Sequence, residues 1–141
     1  MGGVVIYTDG GARGNPGPAG AGVVAYENGR KIFELKKFLG ARQTNNWAEY
    51  EALALALSEA KLLGYAGRDI EVRMDSKLVV EQVLGNWKIK EPTLKPQVEK
   101  VRALLSDFGA CKLTHVSRGE NKEADALVNE AIDEAAAGGR E

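Results

Sequence analysis

Cysteine and histidine are almost absent from the chain. Cys111 and His115 are the only residues of their kinds. A single cysteine cannot form a disulfide within the chain, and unpaired thiols are typical of the reducing cytoplasm. We therefore expect a cytoplasmic protein in which Cys111 is a small core residue near the start of a strand.

Long apolar runs are also absent. No stretch approaches the ~18 consecutive apolar residues that a membrane-spanning helix needs. A strand pattern begins at Val4, so we expect no signal peptide before it. A chain of 141 residues that is 44% hydrophobic and 28% charged can bury a core of its own. We expect a single domain over residues 1–141, frayed from about residue 136, that acts as a monomer away from membranes.

A surplus of basic residues, which many nucleic-acid-binding proteins carry, is missing as well. The chain has 19 Lys and Arg against 20 Asp and Glu, a formal net charge of −1. The overall charge therefore gives no support for a polyanionic ligand. Local segregation of charge would still allow one, and so would an acidic site that binds phosphate through divalent cations.

The hydrophobic pattern changes its period along the chain. The first forty residues predict strands at 4–8, 22–26 and 32–38, with a hairpin turn at Asn28-Gly29. From Asn45 the period is helical. The further predicted elements are helices over 45–63, 76–84, 94–108 and 121–137 and strands over 70–74 and 111–116. Three hairpin strands followed by strands that alternate with helices predict an α/β fold with a mixed sheet flanked by helices.

Four carboxylates occupy positions that favour a shared site. Asp9 and Asp75 each follow an apolar strand, and ligands bind beyond the carboxyl ends of strands in α/β sheets. Glu49 lies on the inward stripe of the first long helix, and Asp125 lies in the first turns of the last helix. Oxygen ligands without His or Cys favour Mg²⁺ or Mn²⁺ over zinc, and Mg²⁺ also binds phosphate oxygens.

Each of these carboxylates also has an ordinary structural explanation. An Asp after a strand is typical of a turn or a helix cap, and a helical Glu is typical of a solvated face. An Asp near a helix N-terminus interacts favourably with the helix dipole. Because spacing alone does not bring the four together, the residues by themselves indicate an acidic metal site and do not establish one.

Four local motifs are more specific. They are Tyr7–Gly11 with Arg13–Gly20, Thr44–Tyr50, Met74–Ser76 and Asn121–Asp125. In this order and spacing they resemble the motifs of type 1 ribonucleases H, over roughly residues 4 to 135. The resemblance implies a ribonuclease H-like fold, with a five-stranded mixed sheet of three antiparallel hairpin strands plus two parallel strands, and helices on both faces.

The resemblance also implies an activity. Family members hydrolyse the RNA strand of RNA/DNA hybrids by a two-metal-ion mechanism and leave 5′-phosphate and 3′-hydroxyl ends. The residues that match the catalytic carboxylates, and would bind two Mg²⁺ or Mn²⁺ ions, are Asp9, Glu49, Asp75 and Asp125. Residues that match positions facing the RNA minor groove are Asn15, Asn45 and Asn46, together with Glu49. Residues that match a pocket for a phosphate of the DNA strand are Arg42, Thr44 and Asn86.

The segment before the last helix departs from the pattern of many family members. Val116–Asn121 is too short for the loop that carries their catalytic histidine. His115 falls inside a predicted strand, where we expect a structural role. Arg118 is the candidate substitute. Asn129 and Asp133 share a helix face with Asp125, which leaves the fourth metal-side residue open.

The basic protrusion that holds the hybrid in many members is missing too. Trp87 with Lys88 and Lys90 is a candidate remnant that would contact the nucleic-acid backbone. Packing of Trp87 on the sheet is the alternative. Weak affinity for the substrate and a strong dependence on salt are expected to follow.

Three other functions remain open. A related enzyme would cleave RNA/RNA duplexes as well as or instead of hybrids. A non-catalytic module would only bind hybrids, although clustered negative charge facing phosphate does not favour this. An α/β domain for a small phosphorylated ligand is the third, and the absence of a P-loop motif argues against it.

Overall fold

The computed structural model describes residues 3–138, which form a five-stranded sheet and four α-helices. The strands are β1 (Val4–Ala12), β2 (Gly17–Glu27), β3 (Arg30–Gln43), β4 (Ile70–Met74) and β5 (Cys111–His115). The helices are α1 (Asn45–Leu62), α2 (Lys77–Leu84), α3 (Lys95–Leu105) and α4 (Lys122–Gly138), with short 3-10 helices at Pro92–Leu94 and Arg118–Glu120.

The strand order across the sheet is β3-β2-β1-β4-β5. Strands β1, β2 and β3 pair antiparallel, whereas β4 pairs parallel with both β1 and β5. The predicted α/β class and the mixed sheet are therefore confirmed.

The three hairpin strands are longer than the sequence predicts. The gap between the strands predicted at 4–8 and 22–26 shrinks to the turn between Ala12 and Gly17, and β3 continues to Gln43. Asp9 consequently lies inside β1, and the prediction that it follows the end of that strand is wrong. Glycine and proline, which usually interrupt a strand, caused this error.

Two glycines of β2 let α4 pack directly on the strand backbone. A Cβ atom added at Gly22 would lie 2.2 Å from the carbonyl oxygen of Ala124. One added at Gly20 would lie 2.8 Å from the carbonyl oxygen of Val128. Glycine at these two positions therefore permits a close contact between β2 and α4 that a side chain would block.

The two faces of the sheet contact different helices because successive strand residues point to opposite sides. At Gly10 an added Cβ would meet the α1 backbone, whereas at Gly11 it would meet only a side chain of α4. The larger core lies on the α1 side, and among its fully buried side chains are Ile6, Leu53, Leu57 and Met74. Burial of each such side chain stabilises the fold by roughly 1.5–3 kcal/mol.

Local signals placed most turns and helix ends correctly. Thr44 caps α1, because its Oγ1 accepts a hydrogen bond from the backbone N–H of Trp47 at 3.2 Å. Asn28 and Gly29 both have positive φ angles, 53° and 78°, as the predicted hairpin turn requires. Cys111 begins β5 and packs against the core, where burial raises the pKa of its thiol.

The C-terminal end is helical as far as the structure describes it. Helix α4 continues to Gly138, and residues 139–141 of the tail lie outside the described residues. Fraying of the tail therefore stays a prediction. Within residues 3–138, no helix combines the length and the apolar character needed to cross a membrane.

Candidate active site

A fork between two parallel strands places Asp9 and Asp75 side by side. The pairing of β1 with β4 ends at Thr8 and Met74, which are partners in the register. Asp9 and Asp75 are the next residues on the two strands. Although Asp9 lies inside β1, it stands at the carboxyl end of the parallel pair, where ligands of α/β proteins bind.

Helix α1 brings Glu49 to the same fork. The backbone N–H of Gly10 donates a hydrogen bond to Glu49 Oε1 at 3.1 Å. Glycine at position 10 is needed because an added Cβ atom would lie 2.1 Å from the carbonyl oxygen of Ala48. The close contact of β1 with α1 thus sets how near Glu49 comes to Asp9.

Asp9, Glu49 and Asp75 form a compact carboxylate cluster. One oxygen from each lies within 4.8 Å of the others. Asp9 and Glu49 are buried, and Asp75 is half-buried. The donor set consists only of carboxylate oxygens, the ligands that Mg²⁺ and Mn²⁺ prefer. The residues present therefore fit a divalent cation.

The cluster carries more negative charge than its surroundings offset. Burial, followed by the charges of Asp75 and Asp125, raises the pKa of Asp9 to about 8. Burial and the charge of Asp9 raise the pKa of Glu49 well above its usual value. A bound cation would compensate the charge that protons otherwise neutralise.

Asp125 reaches the same cleft from α4 but lies outside the compact cluster. It acts on the pKa of Asp9, yet it is exposed and is not one of the three carboxylates within 4.8 Å of one another. The cleft has a volume of about 480 Å³, and Asn45, Asn46 and Arg118 also line it. The structure thus brings together the four carboxylates that the sequence singled out.

Two of the predicted substrate-binding asparagines are linked to each other. Asn45 Oδ1 accepts a hydrogen bond from the backbone N–H of Ala12 at 2.8 Å. Asn15 Oδ1 accepts one from the backbone N–H of Asn45 at 3.0 Å. Both side-chain oxygens are therefore occupied, and the amide NH₂ groups remain as hydrogen-bond donors.

The three residues predicted around a DNA phosphate do not line one pocket. Arg42 and Thr44 line a hollow of about 290 Å³ with Trp47. Asn86 lines a different hollow, and its Nδ2 donates a hydrogen bond to Glu81 at 2.8 Å.

Trp87 and Lys88 border the hollow that contains Asn86, and its volume is about 540 Å³. Asn46 lines both this hollow and the carboxylate cleft, so the two adjoin. Trp87 is 44% exposed, and Lys77 Nζ lies 5.9 Å from the centre of its ring. An exposed ring does not agree with the alternative of Trp87 packing on the sheet.

The connection between β5 and α4 is as short as the sequence predicts. It contains the 3-10 helix Arg118–Glu120, and Arg118 lines the carboxylate cleft. His115 is the last residue of β5 and is exposed, and it is not among the residues that line the cleft. Of these two residues, Arg118 is therefore the one that lines the carboxylate cleft.

Arg13 was given no role by the sequence analysis, yet it ties the turn after β1 to α4. Its guanidinium bonds Asp133 Oδ1 at 2.6 Å and Asn129 Oδ1 at 3.0 Å. Asn129 Nδ2 in turn donates to the carbonyl oxygen of Asp125 at 3.1 Å. Asp133 is thus engaged by a cation, and Asn129 supports the turn that carries Asp125. Contacts over this sequence distance leave no local signal.

Comparison with known proteins gives consistent matches over nearly the whole chain. A family model described as "Reverse transcriptase-like" matches residues 7–131. Ribonuclease HI of Halobacterium salinarum is 45% identical over 133 residues, 94% of this chain and 65% of that protein. A bifunctional protein of Mycobacterium tuberculosis is 46% identical over 135 residues, which cover 94% of this chain but 36% of that protein. The chain thus spans about a third of the Mycobacterium relative.

Solved structures agree with these matches. The crystal structure of LC11-RNase H1 in complex with an RNA/DNA hybrid has a TM-score of 0.88 and 46% sequence identity. The match covers 94% of this chain and 98% of that one.

Proposed function

Because this chain belongs to the type 1 ribonuclease H family, we propose that it hydrolyses the RNA strand of RNA/DNA hybrids with Mg²⁺ as the cofactor. The observation that carries the proposal is the convergence of carboxylates from four separate motifs in one cleft. The expected products have 5′-phosphate and 3′-hydroxyl ends.

Asp9, Glu49 and Asp75 would hold the divalent cations, with Asp125 at the outer side of the cleft. When bound, the cations supply positive charge for the phosphate that is attacked and for the carboxylates around it. The Gly10 N–H keeps one Glu49 oxygen oriented toward β1. Mn²⁺ satisfies the same donors and is expected to substitute for Mg²⁺.

Recognition of the RNA strand would come from Asn15, Asn45 and Asn46. Since Oδ1 of Asn15 and Asn45 already accepts a backbone N–H, their NH₂ groups are oriented to donate. The 2′-hydroxyl oxygen in the wide minor groove is an acceptor that RNA has and DNA lacks. These donors support selection of RNA without selection of sequence.

The DNA strand would lie over the surface beyond Asn46. The hollow of Trp87 and Lys88 offers an aromatic ring and a cation there, and Arg42 with Thr44 offers a second polar contact. Arg118 is proposed as an auxiliary cation in the cleft, and Asn129 as a support for Asp125. We expect a monomer in the cytoplasm, in keeping with the unpaired Cys111.

The test is cleavage of a short duplex labelled on its RNA strand, with Mg²⁺ and with excess chelator. An all-RNA duplex and the single RNA strand are run beside it. We expect metal-dependent cleavage of the hybrid only. No cleavage of any substrate in Mg²⁺ or Mn²⁺ would contradict the proposal and leave hybrid binding as the function to measure.

Cleavage of RNA/RNA duplexes is the second candidate activity. The observation that favours it is that Arg42 and Thr44 line one hollow and Asn86 another, so the three do not form the single pocket expected to select a phosphate of the DNA strand. Cleavage of the all-RNA duplex at a rate similar to the hybrid would establish this broader specificity.

A further inference from the structure

Asn121 is a fully buried polar residue of the fourth motif to which neither the sequence nor the proposed function gives a role. Only 1% of it is exposed. Its Nδ2 donates a hydrogen bond to the carbonyl oxygen of Thr8 at 2.8 Å, across 113 positions of sequence. This bond joins the segment before α4 to the end of the parallel pair of strands.

The bond lies at the base of the fork that displays Asp9 and Asp75. Thr8 and Met74 are the last register partners of β1 and β4. The carbonyl oxygen of Thr8 accepts from Asn121, and that of Met74 accepts from the backbone N–H of Val116 at 2.9 Å. The segment between β5 and α4 therefore binds both strands where they separate.

The backbone of Asn121 extends the link to two residues of the cleft. The N–H of Asp125 donates to the Asn121 carbonyl oxygen at 3.1 Å. The N–H of Asn121 donates to the Arg118 carbonyl oxygen at 3.0 Å. Thr8 directly precedes Asp9, so one side chain connects the backbone that carries Asp9 with the turn that carries Asp125.

Stability alone does not account for an amide at this position. Asn121 Oδ1 and Thr8 Oγ1 are buried without a hydrogen-bond partner in the described part of the chain. A buried polar atom without a partner is destabilising. An arrangement with this cost is expected where it fixes a geometry that the protein needs.

We propose that Asn121 is a positioning residue that sets the separation of Asp9 and Asp125, and with it the capacity of the cleft to bind divalent cations. The proposal rests on the proposed function for the identity of the cleft. It requires no contact between Asn121 and the substrate.

The experiment is a calorimetric titration of the folded protein with Mn²⁺ alone, followed by steady-state cleavage of the hybrid in Mg²⁺. Asn121→Ala removes the bond to Thr8. Gln97→Ala is the matched control, because Gln97 is also a buried amide with an unpartnered Oε1, on α3, and does not line the cleft.

We expect Asn121→Ala to weaken Mn²⁺ binding about 10-fold and to lower kcat about 10-fold. Losses of this size are typical when a residue that supports a metal ligand is removed. KM for the hybrid should stay within about twofold, since Asn121 does not face the substrate. Gln97→Ala should lower the melting temperature and leave Mn²⁺ affinity and kcat unchanged. Should Asn121→Ala fail to fold, Asn121→Ser is measured in the same way with the same expectation.

Equal Mn²⁺ affinity of Asn121→Ala and wild type would overturn the proposal. Equal losses in Asn121→Ala and Gln97→Ala would overturn it as well, because the effect would then be general loss of stability. Wild-type protein that binds Mn²⁺ but cleaves no hybrid would refute only the proposed function, since the Mn²⁺ titration still decides the role of Asn121.

Discussion

The charge of Asp9 is unfavourable when the cleft holds no cation and favourable when a cation is bound. Burial and two neighbouring carboxylates disfavour its charge, as its pKa of about 8 indicates. A divalent cation needs that same charge as a ligand. A residue proposed to hold the catalytic cations is thus expected to weaken the metal-free fold.

Asp9→Asn should therefore raise stability while it removes activity. At pH 9 without divalent cations, we expect the free energy of unfolding to rise by at least about 1 kcal/mol, given about 1.4 kcal/mol per pKa unit. We expect kcat to fall about 10³-fold, because several kcal/mol of metal-dependent stabilisation is lost. Urea unfolding and hybrid cleavage measure the two effects.

The control for this substitution is Asp107→Asn. Asp107 pairs with Lys61 at 2.9 Å on the surface and does not line the cleft. Asp107→Asn should change neither the free energy of unfolding nor kcat appreciably. Retention of full activity by Asp9→Asn would show that the carboxylate cluster is not catalytic.

The raised pKa also predicts how stability depends on pH. The folded protein keeps a proton on Asp9 that the unfolded chain releases, since the pKa is about 8 in the fold against 3.8 in its absence. This contribution is fully present below about pH 4 and is lost as pH rises through about 8. The melting temperature of the metal-free protein should consequently fall between pH 5 and pH 9.

Saturating Mg²⁺ should reduce that fall, because the cation replaces the proton. Comparison with Asp9→Asn measures the contribution of Asp9 together with its effect on the pKa of Glu49. Identical pH profiles of wild type and Asp9→Asn, measured without metal, would contradict the assignment.

At the scale of elements, the sequence predicts where a helix or strand occurs better than where a strand ends. The boundaries of α1 and β4 follow from their own residues: Thr44 caps the helix, and the apolar alternation marks the strand. In β1 the glycines after Asp9 interrupt the apolar pattern, yet the strand continues through them, and the contact with α1 requires a glycine at position 10. That need comes from residues about forty positions away and leaves no local pattern.

The pair Gly10 and Gly11 tests this explanation within one strand. Gly10→Ala would place a Cβ atom 2.1 Å from the Ala48 carbonyl oxygen, whereas Gly11→Ala meets only Val128 Cγ1 at 3.9 Å. We expect Gly10→Ala to cost about 1–3 kcal/mol of stability and to lower kcat by shifting Glu49. Gly11→Ala should stay within about 0.5 kcal/mol of wild type.

Urea unfolding and cleavage at saturating hybrid measure both variants. Similar behaviour of the two would mean that the contact of β1 with α1 does not determine the position of Glu49.

At the scale of the molecule, many of the basic residues serve the fold itself. Cations that pair with carboxylates within residues 3–138 are Arg13, Lys31, Lys36, Lys61, Arg68, Arg73 and Lys100. Lys88, which lines the hollow next to the carboxylate cleft, is not among these paired cations. A chain with a formal net charge of −1 that pairs several of its cations with its own carboxylates is expected to hold a polyanion weakly.

Binding of the hybrid should accordingly depend on cations outside this paired set. We expect Lys88→Ala to weaken binding and to make the slope of log K against log salt shallower by about 1, the value for one phosphate contact. Lys61→Ala, which removes a cation paired with Asp107, is the control and should leave the slope unchanged. Fluorescence anisotropy with a labelled hybrid in Ca²⁺ gives both slopes. An unchanged slope for Lys88→Ala would exclude contact between Lys88 and the backbone.

In the candidate site, too, the sequence does not reveal contacts between residues that are far apart along the chain. Motifs predicted the four carboxylates, and the structure brings them to one cleft. They did not predict that Arg13 engages Asp133, or that Asn121 reaches Thr8. Those partners are separated by more than a hundred residues. Only the fold brings such pairs together, so composition and spacing carry no trace of them.

Because Asp125 stands on the last helix, the order of protein synthesis matters for this molecule. A ribosome releases the strands with Asp9 and Asp75 and the helix with Glu49 well before α4 exists, and chains fold from the N-terminus onward. A product that stops short of residue 121 carries three of the carboxylates but lacks Asn121 and Asp125. Interrupted translation would thus yield fragments with an incomplete cleft, and competence would arise only once α4 has been synthesised.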